Sequence, residues 1–451
     1  MESLRQYIDL YKGNREAFDT GAPAVDSLKA GALGALEAFL GAKAARTPYA
    51  ESSDEALLAP DYGINVGRLS FPVDLTATFH CEVPNISTLL GVTVNDSFRP
   101  TETLLRQLPE GVTVCSLVKA AREYPELVGS RLNALAADST PAAALNTLLL
   151  QDGVFVHVAA GVRPERPVQL VNIFNAGTSL LAARRLLVVA EEGAKVCLLV
   201  CDHTQNREVD YLSDEVIEVF AGRDASVELY SIEESSARTR RICRLFARQE
   251  QGSTLTVNSN TLSCGVTSNS YTVDVIGQHA DTTLGGLVIA DGTQIVDSTV
   301  RLNHKESDCR SRQLFKYALF EDARGAFGGK IVVSEGAVRT DASQTNRNLL
   351  ASEGARMATA PQLEIYCDDV KCSHGATVGQ LDPRALFYMQ TRGIPEAEAR
   401  LMLTQAFMTD VIDSISYDIV RDRLRQLVEK RLGGERASCA SCGAGDKNCS
   451  R

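Results

Sequence analysis

Tryptophan is absent from the 451 residues. That weakens any function resting on a wide aromatic platform for sugars or bases. A basic excess is also missing, since 57 acidic side chains face 46 basic ones and leave a formal charge of −11. A partner chosen for its phosphates, such as nucleic acid or an anionic membrane surface, is therefore disfavoured, and other proteins are the expected partners. Long apolar runs are lacking as well. "LLVVA" at 186–190 and "VCLLV" at 196–200 are strand-sized, far short of the roughly 20 residues that span a bilayer. The opening "MESLRQYIDLYKGNREAF" has acids in its first turns and no apolar stretch of the secretory type. No Walker-type phosphate loop, dinucleotide fingerprint, G-x-S-x-G or H-E-x-x-H occurs, so the chain is not expected to hydrolyse ATP itself.

What is present points to a large soluble protein. The hydrophobic fraction is 44%, and the length suits two or three structural units. Twelve cysteines are spread from Cys81 to Cys449 without an export signal, which predicts free thiols in a reducing cytoplasm.

The chain divides by pattern. Residues 1–150 read as a helical region with short strands: Arg5–Phe18, the alanine- and leucine-rich stretch 24–46, "SLVKAAREYPELVGSRLNAL" and "PAAALNTLLL" all carry helical spacing. From 151 to 381, pairs of strand-like segments flank short turns, as in "RRLLVV-AEEGA-KVCLLV" and "DEVIEVF-AGRDA-SVELYSI". The turn glycines Gly193, Gly222, Gly252 and Gly277 are 29, 30 and 25 residues apart. Two strands per period with no helix between them are the signature of a solenoid, in which no unit buries enough surface alone. A twisted antiparallel sandwich is the alternative. "SEGA" at 334–337, "SEGA" at 352–355 and "SHGA" at 373–376 are read as later corners. Residues 382–434 return to helix, with Asp382 as N-cap, Pro383 at the first position, Gly393 after the end and Pro395 starting a second helix. Residues 435–451 form a Gly/Ser-rich tail with Cys439, Cys442 and Cys449, a weak candidate for metal binding or disulfide exchange.

Three clusters could carry chemistry. Cys372 and His374, in "DVKCSHGATVGQ", alternate along an extended strand and so share a face, with Cα atoms roughly 6.5–7 Å apart. Thiolate and imidazole are both ligands for iron or zinc, but on the local sequence alone a small buried thiol beside a turn histidine satisfied by a carbonyl is the favoured reading. In "QTNRNLLAS", Gln344, Asn346 and Asn348 share a face opposite Arg347, which is read as an amide ladder along a solenoid. In "ARTRRICRLFAR", Arg238, Arg240, Arg241, Arg244 and Arg248 are read as a mostly solvated strand face.

"LEIYCDDVKCSHGATVGQLDPRALFYMQTRGI" (363–394) and "GKIVVSEGAVRTDASQTNRNLLASEGA" (329–355) resemble the SufB/SufD family of the Suf iron–sulfur assembly system, on the SufD side. SufB-type chains are similar in the core but carry tryptophan-containing N-terminal motifs, which this sequence lacks. The resemblance implies a mainly β protein, a right-handed parallel β-helix flanked by helical domains. It further implies a scaffold that is not itself an enzyme, pairs with a SufB-like subunit through the β-helix, and binds a SufC-like ATPase through the C-terminal helices. A homodimer of the isolated chain is a further expectation. Carried over by motif, His374 and Cys372 lie at the cluster-assembly interface and touch a transient Fe–S cluster shared with SufB, with reduced flavin (FADH2) linked to the complex as electron source. Leu401, Phe407, Val411 and Ile415 are the ATPase-docking candidates on the second C-terminal helix. Cys367 departs from the small residue expected there.

Two other functions compete with this one. A β-helix carbohydrate-active enzyme would use Asp368 and Asp369, but neighbouring strand residues point to opposite faces. An ABC-transporter permease would need spans that the sequence does not contain.

Overall fold

The computed structural model describes residues 3–42, 47–73 and 88–433. Among the described residues there are twenty strands, and they make up 42% of those residues. The first four are short: β1 (Gly63–Ile64), β2 (Leu89–Val94), β3 (Ser97–Pro100) and β4 (Val112–Ser116). The next eight are β5 (Val154–Val158), β6 (Val168–Phe174), β7 (Leu180–Ala190), β8 (Lys195–Thr204), β9 (Tyr211–Ala221), β10 (Ser226–Glu234), β11 (Thr239–Gln249) and β12 (Thr254–Ser263). The last eight are β13 (Val266–Val275), β14 (Asp281–Ala290), β15 (Ile295–His304), β16 (Arg310–Leu319), β17 (Arg324–Val333), β18 (Thr340–Leu350), β19 (Arg356–Ile365) and β20 (Val370–Gly379).

From β5 onward, successive strands alternate between two sheets. One runs β19-β17-β15-β13-β11-β9-β7-β5-β4, and the other β20-β18-β16-β14-β12-β10-β8-β6-β2-β3. Every neighbour pair from β5 to β20 is parallel, which gives a β-solenoid of about eight turns and removes the antiparallel sandwich. The corners use two devices. Gly193, Gly252 and Gly336 sit at positive φ (66°, 67° and 83°), where a side chain would be strained. Gly222 and Gly277 instead permit close backbone approach, since a Cβ at Gly222 would lie 2.9 Å from Ala190 O and one at Gly277 would strike the Gln251 backbone. The left-handed residues at those two corners are Asp224 and His279. "SHGA" is no corner: it lies inside β20.

The lumen is apolar along one half, through Val196, Leu198, Val227, Leu229, Leu255 and Val257. Its other half, in the earlier rungs, holds charge. Arg184 pairs with Asp202 at 2.9 Å and Arg241 with Glu215 at 2.7 Å, all four side chains at most 4% exposed. Tyr271, Phe315 and Phe327 fill the lumen further along, with ring centroids 6.2 and 5.1 Å apart. The Arg238–Arg248 run is therefore not a solvated face. Alternation sends Arg241 into the lumen, and Arg244, on the outer face, is buried against Asp54 of the N-terminal region. Only Arg238 of these three is half-exposed.

Glu233 lies in that polar half and accepts hydrogen bonds from Thr261 Oγ1 (3.0 Å) and Thr267 Oγ1 (2.9 Å). Burial pushes its carboxyl up from 4.5 to about 7, despite the nearby Arg241. An acid whose folded pKa is raised weakens the fold as pH climbs from its unfolded value through its folded one, here by up to about 3 kcal/mol between pH 4.5 and 7. Glu233→Gln is expected to remove that slope, so urea titrations of variant and parent coincide near pH 4.5 and favour the variant above pH 7. Parallel pH profiles would contradict this.

Helices cover the outer faces. Leu4–Gly13, Leu28–Leu40 and Pro141–Leu149 bury Leu4, Tyr7, Leu36, Leu145 and Leu148 against Leu181, Leu212 and Ile242 of the odd-numbered strands. Glu396–Asp413 and Asp418–Leu432 lie on the even-numbered strands, with Met408, Val411, Ile412, Ile415 and Leu424 against Tyr230, Ile232 and Leu287. Asp382 caps Pro383–Thr391 by accepting from Arg384 N at 2.9 Å, and Gly393 sits at φ 84°. Among the described residues no helix is long and apolar enough to cross a membrane.

Candidate functional site

The two ends of the solenoid differ. At the early end the ladders close with antiparallel pairs, β2 with β3 and β4 with β5. At the late end β19 pairs with β17 and β20 with β18, and among the described residues neither strand has a neighbour on its other side. No residue of β20 is buried. Apolar side chains stand exposed around this rung: Ile365, Tyr366 and Val378, and beyond them Phe387 and Tyr388. A long open edge with apolar side chains beside it is a template for pairing with another chain.

Cys372 and His374 lie on β20, in register with Ala342 and Gln344 of β18. Ala342 and Gln344 are each 1% exposed and face the lumen, so the two candidate donors face its mouth. Cys372 is half-buried beside Leu363, Cys367 and Val370 over Ile331 and Val333. Burial pushes its thiol up from the usual value, which favours the protonated form. His374 is exposed. It ends a polar stack, because Gln344 donates through Nε2 to Gln313 Oε1 at 2.6 Å one rung below. Gly329 makes room for this amide, since a Cβ there would overlap the Gln344 side chain.

The amide ladder is found as expected. Asn348 Nδ2 donates to Asn346 Oδ1 (2.6 Å) and to Thr377 O of β20 (2.9 Å), while Thr359 Oγ1 donates across from β19 to Asn346 Oδ1 (2.9 Å). Arg347, on the opposite face, is exposed, 3.7 Å from Asp410. The ladder thus braces both strands of the open rung. Sequence reasoning placed Gln344 in the ladder but missed its alignment with His374. The signal was there: Gln313, Gln344 and His374 are spaced 31 and 30 residues, one rung each.

Among the described residues no group of three or more His, Cys, Asp or Glu side chains is placed to hold a metal ion. Asp368 and Asp369 are exposed in the β19–β20 turn. Cys439, Cys442 and Cys449 lie outside the described residues.

The four residues expected to form an ATPase-docking face are divided by the fold. Val411 and Ile415 are 0% and 1% exposed and hold their helix and its exit onto the solenoid, so they do not face outward. The correction has a simple cause: the most apolar stripe of a terminal helix is the one it buries at home. Leu401 and Phe407 are half-buried, and Lys316 Nζ donates to Phe407 O at 2.6 Å. Exposed apolar groups nearby are Met402 and Ile419.

Residues 173–407 match the family model described as SUF system FeS cluster assembly, SufBD core domain, and residues 1–170 match that of the SufBD protein N-terminal region. The chain belongs to the SufBD family. An iron–sulfur cluster assembly SufBD family protein of Synechocystis is 29% identical over 378 residues, 82% of this chain and 83% of that one. The iron–sulfur cluster assembly protein SufD of Bacillus subtilis is 28% identical over 329 residues, 72% of this chain and 74% of its own. Escherichia coli SufD is 36% identical over 158 residues, 35% of this chain and 37% of its own. The core match takes in every strand from β7 to β20 and with them the open rung, so the SufBD assignment covers the candidate site itself.

Proposed function

We propose that this SufBD-family chain is a SufD-type scaffold subunit, without an enzymatic activity of its own, in a cytoplasmic complex that assembles iron–sulfur clusters. Its open rung, β19 and β20, pairs with the corresponding rung of a SufB-like subunit. The nascent cluster is the cargo of that junction, with His374 as a donor from this side and Cys372 in support. The observation that carries the reading is a strand edge, unpaired among the described residues, that carries His374 and Cys372 on the face toward the lumen's mouth.

The asymmetry between the donors follows from their surroundings. An exposed imidazole can ligate without conformational change, whereas a half-buried thiol must lose a proton in a place that disfavours the anion. A junction closed on both sides admits iron and sulfide only when it opens. That gives a role to a SufC-like ATPase docked on the C-terminal helices, through exposed side chains such as Met402 rather than the buried Val411 and Ile415. Reduced flavin, FADH2, supplies electrons to the complex in this scheme. In isolation the same edge pairs with a second copy to give a homodimer.

Affinity purification of the tagged full chain from its own cells is expected to retain both an ABC-type ATPase and a related β-helix subunit in fixed ratio. Recovery of neither, with the chain folded, would contradict the assignment.

A further inference from the structure

Along one edge of the solenoid, the corners that lead from even to odd strands face the end of the helix Asp418–Leu432 across a half-open groove of about 560 Å³. That volume lies within the range of small-molecule sites. Four guanidiniums line it, from Arg207, Arg238, Arg240 and Arg431, against two carboxylates, Asp210 and Asp291. In a chain of net charge −11 this is a local excess of positive charge.

The contacts of Arg238 use two of its three guanidinium nitrogens. Arg238 contacts Asp210 through Nε (2.9 Å) and Nη2 (3.1 Å), and both side chains are about half exposed. Arg431 bridges Asp291 at 2.8 Å and Leu262 O at 2.6 Å, with its side chain 10% exposed, so one wall is rigid. Arg240 donates to Ala56 O at 3.5 Å and meets the Tyr62 side chain, so its partners are neutral groups. A guanidinium carries five N–H donors in a planar fork that matches phosphate oxygens.

We infer that this groove binds a phosphate-bearing small anion of pyrophosphate or nucleotide class, held by Arg238 and Arg240 beside Arg431. None of its lining residues belongs to β18–β20, so the site is separate from the open rung and does not depend on the assembly role. Because Arg431 sits on the terminal helix, a bound anion ties that helix to the solenoid and stabilises the folded chain by mass action.

Calorimetric titration of the full chain with inorganic pyrophosphate, and separately with ADP, tests this against chloride at matched ionic strength. Saturable one-to-one binding is expected. It should weaken by at least about tenfold in the Arg238→Ala/Arg240→Ala double variant and persist in Arg301→Ala, an exposed arginine on a different face. Equal affinity for the two ligands assigns the groove to a bare polyphosphate, and clearly tighter ADP assigns it to a nucleotide. Absence of saturation by either at millimolar concentration overturns the inference, as does binding unchanged in a double variant whose circular dichroism is native.

Discussion

Replacing Arg185 by alanine is expected to lower the unfolding free energy by about 3–5 kcal/mol, the usual cost of leaving one member of a buried ion pair alone. Arg185 and Glu218 are both 0% exposed and meet at 2.9 Å between the odd-numbered strands and the N-terminal helical layer. Arg185 also donates to Asn146 Oδ1 (3.2 Å) and Asn133 Oδ1 (3.1 Å). Glu218 accepts the backbone N–H groups of Asn133 (2.7 Å), Leu135 (2.8 Å) and Ala136 (3.2 Å). The pair is thus the joint between the solenoid and the loop that leads into the helix Pro141–Leu149. Without the guanidinium, a carboxylate remains buried with neutral donors alone. The double variant Arg185→Met/Glu218→Gln should cost less than Arg185→Ala, since it removes the stranded charge. Urea denaturation followed by circular dichroism separates the cases. A loss below about 1 kcal/mol for Arg185→Ala would mean that the joint is wetter than its burial indicates.

His374→Ala should leave stability within about 0.5 kcal/mol of the parent, because the imidazole is exposed. Cluster loading in the purified complex should nevertheless fall by at least about tenfold. Disturbing even the outer partners of a metal ligand costs 10–100-fold, so loss of a ligand costs no less. Cys372→Ala should show the reverse balance, a measurable loss of stability from its half-buried position and a smaller loss of loading. Visible absorbance of the loaded cluster, recorded beside the subunit stoichiometry, reads both. Normal loading by an intact complex carrying His374→Ala would remove this residue from the site.

Much of the solenoid was legible because its signals are local. The glycine spacing, the two strands per period and the Asp382–Pro383 start of the terminal helices each depend on a few neighbouring residues. The errors came where the tertiary surroundings decide. "SHGA" has the letters of a corner, yet strand pairing with β18 holds it extended. Arg241 and Arg244 look solvated by alternation alone. A solenoid buries one face of each strand in its lumen, and here the N-terminal helices cover the other. Val411 and Ile415 have the pattern of an ATPase-docking face, yet their own solenoid buries them. For the site, the shared face of Cys372 and His374 followed from strand period. That this face opens at the last rung could come only from knowing where the stack ends.

The proposed assembly role requires the last rung to be a pairing edge. In β20, alternate backbone amides point away from β18, and among the described residues no strand receives them. Amide hydrogen exchange along Val370–Gly379, with and without the purified β-helix partner, addresses this directly. The account predicts that exchange in β19 and β20 slows strongly on complex formation while β7–β15 change little. Formation of the complex with β20 exchanging as fast as in the free chain would contradict it.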